Sequence, residues 1–417
     1  MRKLFRHGKS FGMVAMAIFL AGALLLGSVM PVKAAEEKVL KIGHAACYTG
    51  PLASTYMPNI IGALDRVTYQ NEQGGINGVR VEWVWEATRG EVPRSILAFR
   101  RAVAQGAVTC LFCNPSATEA LTPRFQALEI PALTSCSLTS RMVTQPIRWV
   151  FSYCLGSGPE ISVFMKWVKD NWTESRPPKV GLIGMEYACT YEGVETIEEL
   201  APQMGVEYIG KEIVSLFPPP VDTSTEWLRL AAKQADWVYI FACGASLVTL
   251  LKDACRLEIQ DRGIRICTYT AALNNEKIAK TIGEKECNGV YSTVAYPSLH
   301  EIEGLPEEQL LREVFKKHRA GEEITSGYIM GWLYMATVLE GFRIAVDTVG
   351  YENVTGRVVR DSLVRIRGFD TGLMPPITVD EKYPCASRFF KIYRWEGGEM
   401  LPVGEWLEPP YLYPELG

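Results

Sequence analysis

The sequence predicts an α/β protein made of two doubly wound lobes, each with a parallel β-sheet covered by helices. Strand-like apolar runs alternate with amphipathic helical stretches along most of the chain, which is typical of parallel sheets. This alternation forms two series that divide near residue 155. In addition, about 380 residues follow the N-terminal residues 1–34, and a chain of that length is more than one hydrophobic core usually supports.

The first 34 residues are predicted to be a signal peptide. Four basic residues lie among the first nine, and an uncharged, mostly apolar run covers residues 12–30. The small residues around Ala34 suit signal peptidase, so we expect cleavage near Ala34 and export to the periplasm. An uncleaved membrane anchor is the alternative, because the run is long enough to span a bilayer. We expect no lipid attachment, since the first cysteine is Cys47, and no second hydrophobic span.

Charge and cysteine content narrow the function classes. Residues 1–34 hold five of the 43 basic residues and none of the 47 acidic ones, so the cleaved chain would carry a formal charge of −9. It has no basic cluster that could neutralise phosphates, and nucleic acid is therefore not an expected partner. Eleven cysteines cannot all pair within one chain, and one or two disulfides remain open.

The first series begins with the strand "KVLKIGHAA", residues 38–46, and an amphipathic helix at 59–73. A glycine turn then leads into a second strand within 74–87. The remaining predicted elements of this series are a helix at 93–105, a strand at 106–113, a helix at 116–128 and a strand at 130–136.

The second series repeats this rhythm, with helical stretches between its strands. Its strands are predicted at 179–185, 206–214, 235–243 and 263–271.

Cys110 and Cys113 have the CxxC spacing of a redox pair or of half a zinc site. Because they lie three residues apart in a strand, their side chains are expected on opposite faces of the sheet. They are therefore not expected to share a metal ion or a disulfide, and neither a metal site nor a cofactor is predicted. The stretch is interpreted as a strand end, a turn and a helix start, at the edge where open parallel sheets bind ligands.

Several other strand ends also carry small polar residues, at 47–56, 134–140, 185–193, 242–246 and 269–275. Hydroxyls and backbone N–H groups at such turns suit a carboxylate, because a helix N-terminus adds partial positive charge. Helix capping is the alternative for any single residue, and Ser116 with Glu119 fits a capping box.

No enzyme is expected. The sequence contains no GxSxG, HExxH or P-loop motif. Of its four histidines, His7 lies in the predicted signal peptide, His44 in the first strand, and His300 and His318 in polar segments. A structural or solvated role is the simpler interpretation for each.

The chain resembles periplasmic solute-binding proteins of the leucine/isoleucine/valine-binding class, which serve ABC importers and have the type I periplasmic-binding fold. The resemblance runs from about Lys38 to near Trp395. The segments that carry it are "TGPLASTY…NIIGALDRV…NEQGGINGVRVE" (49–82), "EIPALTSCSLTS" (129–140), "TYEG" (190–193) and "TGLMPPITVDEKYP" (371–384).

The resemblance implies three passages of the chain between the lobes, near 154–158, 293–298 and 376–384, which together form a hinge. The implied domains are lobe one, 35–156 plus 295–378, and lobe two, 157–294 plus 379–417.

The resemblance also implies a ligand site in the cleft between the lobes. The implied lobe-one positions are Thr55, Tyr56, Asn114, Ser116, Cys136, Ser137 and Tyr328, and the implied lobe-two positions are Tyr191, Cys243 and Ala271.

The implied function is the solute-binding subunit of an ABC importer, expected to be a monomer that works with permease and ATPase subunits. A ligand-sensing module with a separate signalling partner is the alternative. Ala271 stands where leucine-binding members of the family carry a glutamate for the ligand's ammonium group. We therefore favour a small apolar or aromatic carboxylate, or a neutral amide, over a branched-chain amino acid.

Overall fold

Parallel strands and covering helices alternate along the chain, in a computed structural model that describes residues 37–135, 138–143, 148–273 and 275–412. The predicted signal peptide lies outside these residues. The elements of the first series are β1 (Val39–Ala46), α1 (Ala53–Glu72), β2 (Arg80–Ala87), α2 (Val92–Ala104), β3 (Ala107–Phe112), α3 (Pro115–Leu128), β4 (Ala132–Thr134), a 3₁₀ turn (Ser140–Met142) and β5 (Val150–Cys154).

The second series begins with α4 and continues to β10. Its elements are α4 (Ser157–Asp170), β6 (Lys179–Met185), α5 (Ala188–Leu200), β7 (Glu207–Val214), α6 (Ser224–Ala232), β8 (Trp237–Phe241), α7 (Gly244–Arg256), β9 (Arg265–Thr268), α8 (Glu276–Ile282), α9 (Glu284–Cys287) and β10 (Tyr291–Val294).

The last part of the chain adds elements to both lobes. They are α10 (Leu299–Ile302), α11 (Pro306–His318), α12 (Ser326–Val349), a 3₁₀ turn (Tyr351–Asn353), α13 (Gly356–Leu363), β11 (Cys385–Ser387), β12 (Lys391–Glu396) and β13 (Glu399–Pro402).

The strands form two sheets, and the predicted two-lobed α/β class is confirmed. The first sheet has the order β2-β1-β3-β4-β5-β11 and is parallel throughout. The second has the order β7-β6-β8-β9-β10-β12-β13, in which β12 runs antiparallel to both β10 and β13 and the other neighbouring strands are parallel. In both sheets the strand order reverses beside the first strand of the series, between β1 and β3 and between β6 and β8. Open α/β sheets bind ligands at such points.

The passages between the sheets lie side by side. Tyr153, just before the first passage, donates its hydroxyl to the carbonyl of Ala295 in the second at 3.3 Å. Leu155 N–H bonds to the carbonyl of Ser387, just before the third, at 3.3 Å. Because β11 pairs with β5, the chain leaves the first sheet only after Ser387. The third passage therefore comes later in the chain than the predicted residues 376–384. Strand β11 belongs to the first sheet, so it does not fit the predicted assignment of residues 379–417 to lobe two.

Helix α12 is the apolar centre of the first lobe. It is long and apolar enough to cross a membrane, whereas the sequence was expected to hold no hydrophobic span after the signal peptide. Most of its residues are buried in the first lobe. Its close approach to α1 depends on two glycines. A Cβ at Gly331 would lie 1.8 Å from the carbonyl oxygen of Asn59, and one at Gly62 would lie 2.2 Å from that of Tyr328.

Replacement of Gly331 by alanine should lower the free energy of unfolding by about 3 kcal/mol, because the new methyl group meets backbone that cannot move aside. Gly341→Ala on the same helix is the matched control, since its Cβ would press on the flexible Leu363 side chain, and the backbone Cα of Leu363 is 3.7 Å away. Urea unfolding measures both variants. Equal stabilities for the two would contradict a backbone contact at Gly331.

Candidate functional site

The carboxyl ends of the two sheets meet across a closed cleft. From the second lobe, Tyr187 donates its hydroxyl to the carbonyl of Cys113 at 3.3 Å and lies 3.4 Å from the hydroxyl of Tyr56. Gly244 N–H donates to the Thr55 hydroxyl at 3.0 Å, and Ala188 N–H donates to the Ser116 hydroxyl at 3.3 Å. These four contacts join the turns after β1, β3, β6 and β8 at the two points of strand-order reversal.

Helix α1 supplies Thr55 and Tyr56, and it begins at Ala53, earlier than the predicted 59. The N–H groups of Thr55 and Tyr56 both bond to the Leu52 carbonyl. Opposite them, Gly244 has a φ of +59°, and a Cβ there would lie 2.0 Å from the Pro51 carbonyl oxygen. Only glycine therefore allows α7 to begin directly against α1.

The start of α3 differs from the predicted capping box. Asn114, not Ser116, caps this helix, because its side-chain oxygen accepts the N–H groups of Ser116 and Ala117 at 2.8 and 3.3 Å. Its amide nitrogen donates to the Gly90 carbonyl at 2.5 Å. The Asn114 side chain and two N–H groups of this turn are therefore already bonded, which weakens the turn as a carboxylate cradle.

Thiols and tyrosines line the interior of the cleft. Burial is the main effect that raises the pKa of Tyr56. The thiols of Cys243, Cys113 and Cys189 raise it further, whereas the hydrogen bond with the Tyr187 hydroxyl lowers it. All five of these residues are buried. The predicted site residue Cys243 lies in this group, and burial raises the pKa of its thiol to about 11. Tyr56, Tyr187, Cys189 and Cys243 are therefore neutral at neutral pH, whereas Cys47 and His44 lower the pKa of the Cys113 thiol to about 5.

Tyr187, which the predicted residue set omits, occupies the central aromatic position of the cleft. It directly precedes α5 in extended conformation, with φ −152°. The predicted Tyr191 lies one turn later, and 41% of it is exposed. It lines an open cavity of about 380 Å³ at the cleft mouth, together with Ser116, Arg141 and Glu186.

Tyr328 lies away from the cleft. Its hydroxyl donates to the carboxylate of Asp65 at 3.3 Å, and the same carboxylate pairs with Arg319 at 2.7 Å. Its ring packs edge-on against Phe315 and stacks on Trp332. These contacts fix the packing of α1, α11 and α12, so the structure assigns Tyr328 to the core of the first lobe.

Three buried polar groups near the cleft make no strong hydrogen bond among the described residues, and the predicted residue set misses all three. The amide of Asn59 and the hydroxyl of Thr134 have no partner there, and the hydroxyl of Tyr269 meets only the weakly accepting thiols of Cys189 and Cys243. Asn59 lies one turn after Thr55 on the same side of α1. Thr134 ends β4, and Tyr269 directly follows β9 beside the thiols of Cys189 and Cys243. Their positions at strand ends are the only sequence signal that could have marked Thr134 and Tyr269.

Ala271 is buried, and Glu160, the acid that reaches the neighbouring residue Thr270, is already bonded there. Glu160, in the first turn of α4, accepts the N–H and the hydroxyl of Thr270 at 2.5 and 2.8 Å. Burial raises the pKa of Glu160 to about 8, although the bonds from Thr270 lower it. Cys136 and Ser137, the remaining predicted residues, lie outside the described residues.

A second group of contacts joins the lobes beside the cleft. The carboxylate of Glu192 on α5 accepts the N–H of Ser140 at 3.2 Å and its hydroxyl at 2.8 Å. Nearby, Arg141 bonds to Glu195 at 2.9 Å and lies 3.5 Å from Glu119. The described part of the chain contains no group of three or more His, Cys, Asp or Glu side chains that could hold a metal ion.

Comparison with solved structures supports the same fold. A branched-chain amino acid ABC transporter protein from Thermus thermophilus with bound valine has a TM-score of 0.78 at 20% identity, over 90% of this chain and 97% of that one. A fatty acid ABC transporter substrate-binding protein from Thermomonospora curvata has a TM-score of 0.78 at 16% identity, over 90% and 95%. An ABC transporter solute-binding protein from R. palustris in complex with benzoate has a TM-score of 0.73 at 16% identity, over 91% and 100%.

A search of curated protein sequences finds no match. The sequence profile of a family described as "Periplasmic binding protein", however, matches residues 39–399, which is most of the chain and includes both sheets up to the start of β13. The resemblance that the sequence motifs indicated is therefore confirmed. The chain belongs to the periplasmic binding protein family.

Proposed function

We propose that the protein is the periplasmic solute-binding subunit of an ABC importer and delivers its ligand to permease and ATPase subunits. The observation that carries this proposal is the cleft that Tyr56, Cys113 and Tyr187 close between the two lobes. A ligand held there contacts both lobes, so binding stabilises the closed form that a permease can recognise. The family membership and the substrate-binding proteins of the same fold agree with this role.

The proposed ligand is a small apolar or aromatic carboxylate, or a neutral amide. Tyrosine rings and thiols offer apolar and polarisable surface. The hydroxyl of Thr134, which has no partner among the described residues, and that of Tyr269, which meets only weakly accepting thiols there, offer donors to a carboxylate or carbonyl oxygen. Three proteins of this fold, one with bound valine, one a fatty acid transporter protein and one with bound benzoate, agree with a carboxylate as the ligand.

Among the described residues, no carboxylate at this cleft is both buried and available to pair with an ammonium group. Ala271 supplies no acid, Glu160 is committed to Thr270 and largely protonated at neutral pH, and Glu186 is exposed at the cleft mouth. An unpaired buried ammonium costs several kcal/mol. This cost favours acids and amides over α-amino acids.

A thermal-shift panel tests the ligand class with benzoate, 3,4-dihydroxybenzoate, octanoate, benzamide, valine and leucine. A specific ligand at a hundred times its dissociation constant should stabilise the fold by about 2.7 kcal/mol and raise the melting temperature. We expect at least one acid or amide without an ammonium group to do so. A response to valine or leucine alone would show that the argument from Ala271 is wrong.

Tyr269→Phe removes one hydroxyl and keeps the ring. We expect the best compound of the panel to bind this variant roughly tenfold more weakly, because the oxygen of the compound loses a buried hydrogen-bond donor. Tyr334→Phe is the matched control, since that hydroxyl bonds to the Phe151 carbonyl within the first lobe. Isothermal titration calorimetry measures both variants, and equal affinities would remove Tyr269 from the site.

The state of Glu160 can be tested without a ligand. The pKa of Glu160 is raised from the ordinary 4.5 to about 8. Between pH 4.5 and pH 8, the folded chain therefore keeps a proton that the unfolded chain has released. Stability should therefore fall as the pH rises through this window, by about 1 kcal/mol per pH unit. Glu160→Gln should flatten this slope in urea unfolding between pH 5 and pH 8, and the exposed Glu195→Gln should not. Identical slopes for Glu160→Gln and the native protein would contradict a protonated Glu160.

A further inference from the structure

Two thiols lie together on the floor of the cleft, where β1 and β3 end. Strand β1 ends at Ala46 and its neighbour β3 ends at Phe112, so Cys47 and Cys113 each directly follow one of two paired strands. The interaction between the two thiols raises the pKa of Cys47 and lowers the pKa of Cys113. Both residues are buried, and the Cys113 sulfur lies 3.8 Å from Nε2 of His44. Cys110, in contrast, lies under Gly43 and Ala102 on the other side of the strand, so the CxxC spacing is not the pair.

His44 is placed to accept a proton from this pair. Its ring lies 5.4 Å from Trp83 and 6.0 Å from Tyr48, between centroids, and is buried. Nε2 faces Cys113, whereas Nδ1 has no hydrogen-bond partner among the described residues. A neutral imidazole in this position can take up the thiol proton at one nitrogen, because the other is free to carry the N–H.

We propose that Cys47 and Cys113 form a redox-active dithiol that closes into a disulfide by exchange with a low-molecular-weight disulfide. Cys113 passes its proton to His44, and its thiolate attacks one sulfur of the reagent and expels a thiolate. The Cys47 thiolate then attacks the Cys113 sulfur of the mixed disulfide and expels the second. The reagent is reduced to two thiols, the two cysteines are oxidised, and both cysteine protons end on the leaving thiolates.

The surroundings of Cys113 support this order of attack. The hydrogen bond from Cys47 lowers the pKa of Cys113 against the effect of burial, and His44 lowers it further. The same interaction raises the pKa of Cys47, so Cys47 stays protonated while Cys113 attacks, and it is released from this interaction once Cys113 is in the mixed disulfide. Burial without such partners raises the pKa of Cys110 to about 12. Predicted export to the periplasm would also place the pair in a compartment where disulfides persist.

The pair lies directly beneath the contact that closes the cleft. The carbonyl of Cys113 accepts the Tyr187 hydroxyl, and the next residue, Asn114, caps α3. A disulfide here would therefore act on the same backbone that joins the two lobes. Because both thiols are buried in the closed form, only the open form admits the reagent.

The experiment incubates the mature protein with glutathione buffers of increasing oxidised fraction, traps free thiols with iodoacetamide and maps peptides without reduction. We expect a linked Cys47–Cys113 peptide and a fall from the eleven thiols of the chain to nine. Cys47→Ser and Cys113→Ser should each abolish the link, and the buried control Cys110→Ser should retain it. Near-ultraviolet circular dichroism confirms that each variant is folded.

Three results would overturn the proposal. The first is no linked peptide at any glutathione ratio, and the second is glutathione retained on Cys113 of the native protein without closure. The third is a link between other neighbours, such as Cys189 with Cys243 or Cys154 with Cys385, in place of Cys47–Cys113.

His44→Asn should slow the first exchange step about tenfold at neutral pH, and an unchanged rate would contradict the role of His44.

Discussion

The hydroxyl of Tyr187 is the contact on which the arrangement of the two lobes depends. It donates to the Cys113 carbonyl and also contacts the Tyr56 hydroxyl. Since a phenol has one proton to give, Tyr56 must be the donor in the second bond. The chain of bonds thus runs from α1, through the turn before α5, to the end of β3. It can form only because the strands of each sheet are parallel and end at a common edge, which brings their turns into one cleft.

The chemistry of this cleft follows from burial. The tyrosines and most of the cysteines around it are held neutral because burial raises their pKa values, and Glu160 behind it is also largely neutral at pH 7. Charged pairs are found at its margin, as in Arg141 with Glu195. A neutral interior with a few free hydroxyls favours ligands whose polar end needs donors and whose remainder is apolar. Cys113 is the exception, because its neighbours stabilise the thiolate against the effect of burial.

The fold could be predicted from the sequence because strand and helix periodicity is local and the two series repeat it. The site was less predictable, since it depends on which way a helix faces. Tyr191 and Tyr328 have the expected residue type, but the first sits one helical turn too late and the second faces Asp65 inside the lobe. Asn114 replaces Ser116 as the cap because its side chain reaches two N–H groups. The Cys47–Cys113 contact joins residues on different strands, which the CxxC spacing concealed.

A crystal structure of the protein purified without refolding, with any retained ligand, is the most direct test of the central claim. We expect ligand density enclosed between the β1–β3 edge and the β6–β8 edge, within hydrogen-bond distance of Tyr269, with the Tyr56–Tyr187 contact intact. Density bound elsewhere, such as the groove of about 790 Å³ between α8 and α11, with this cleft empty, would contradict the account.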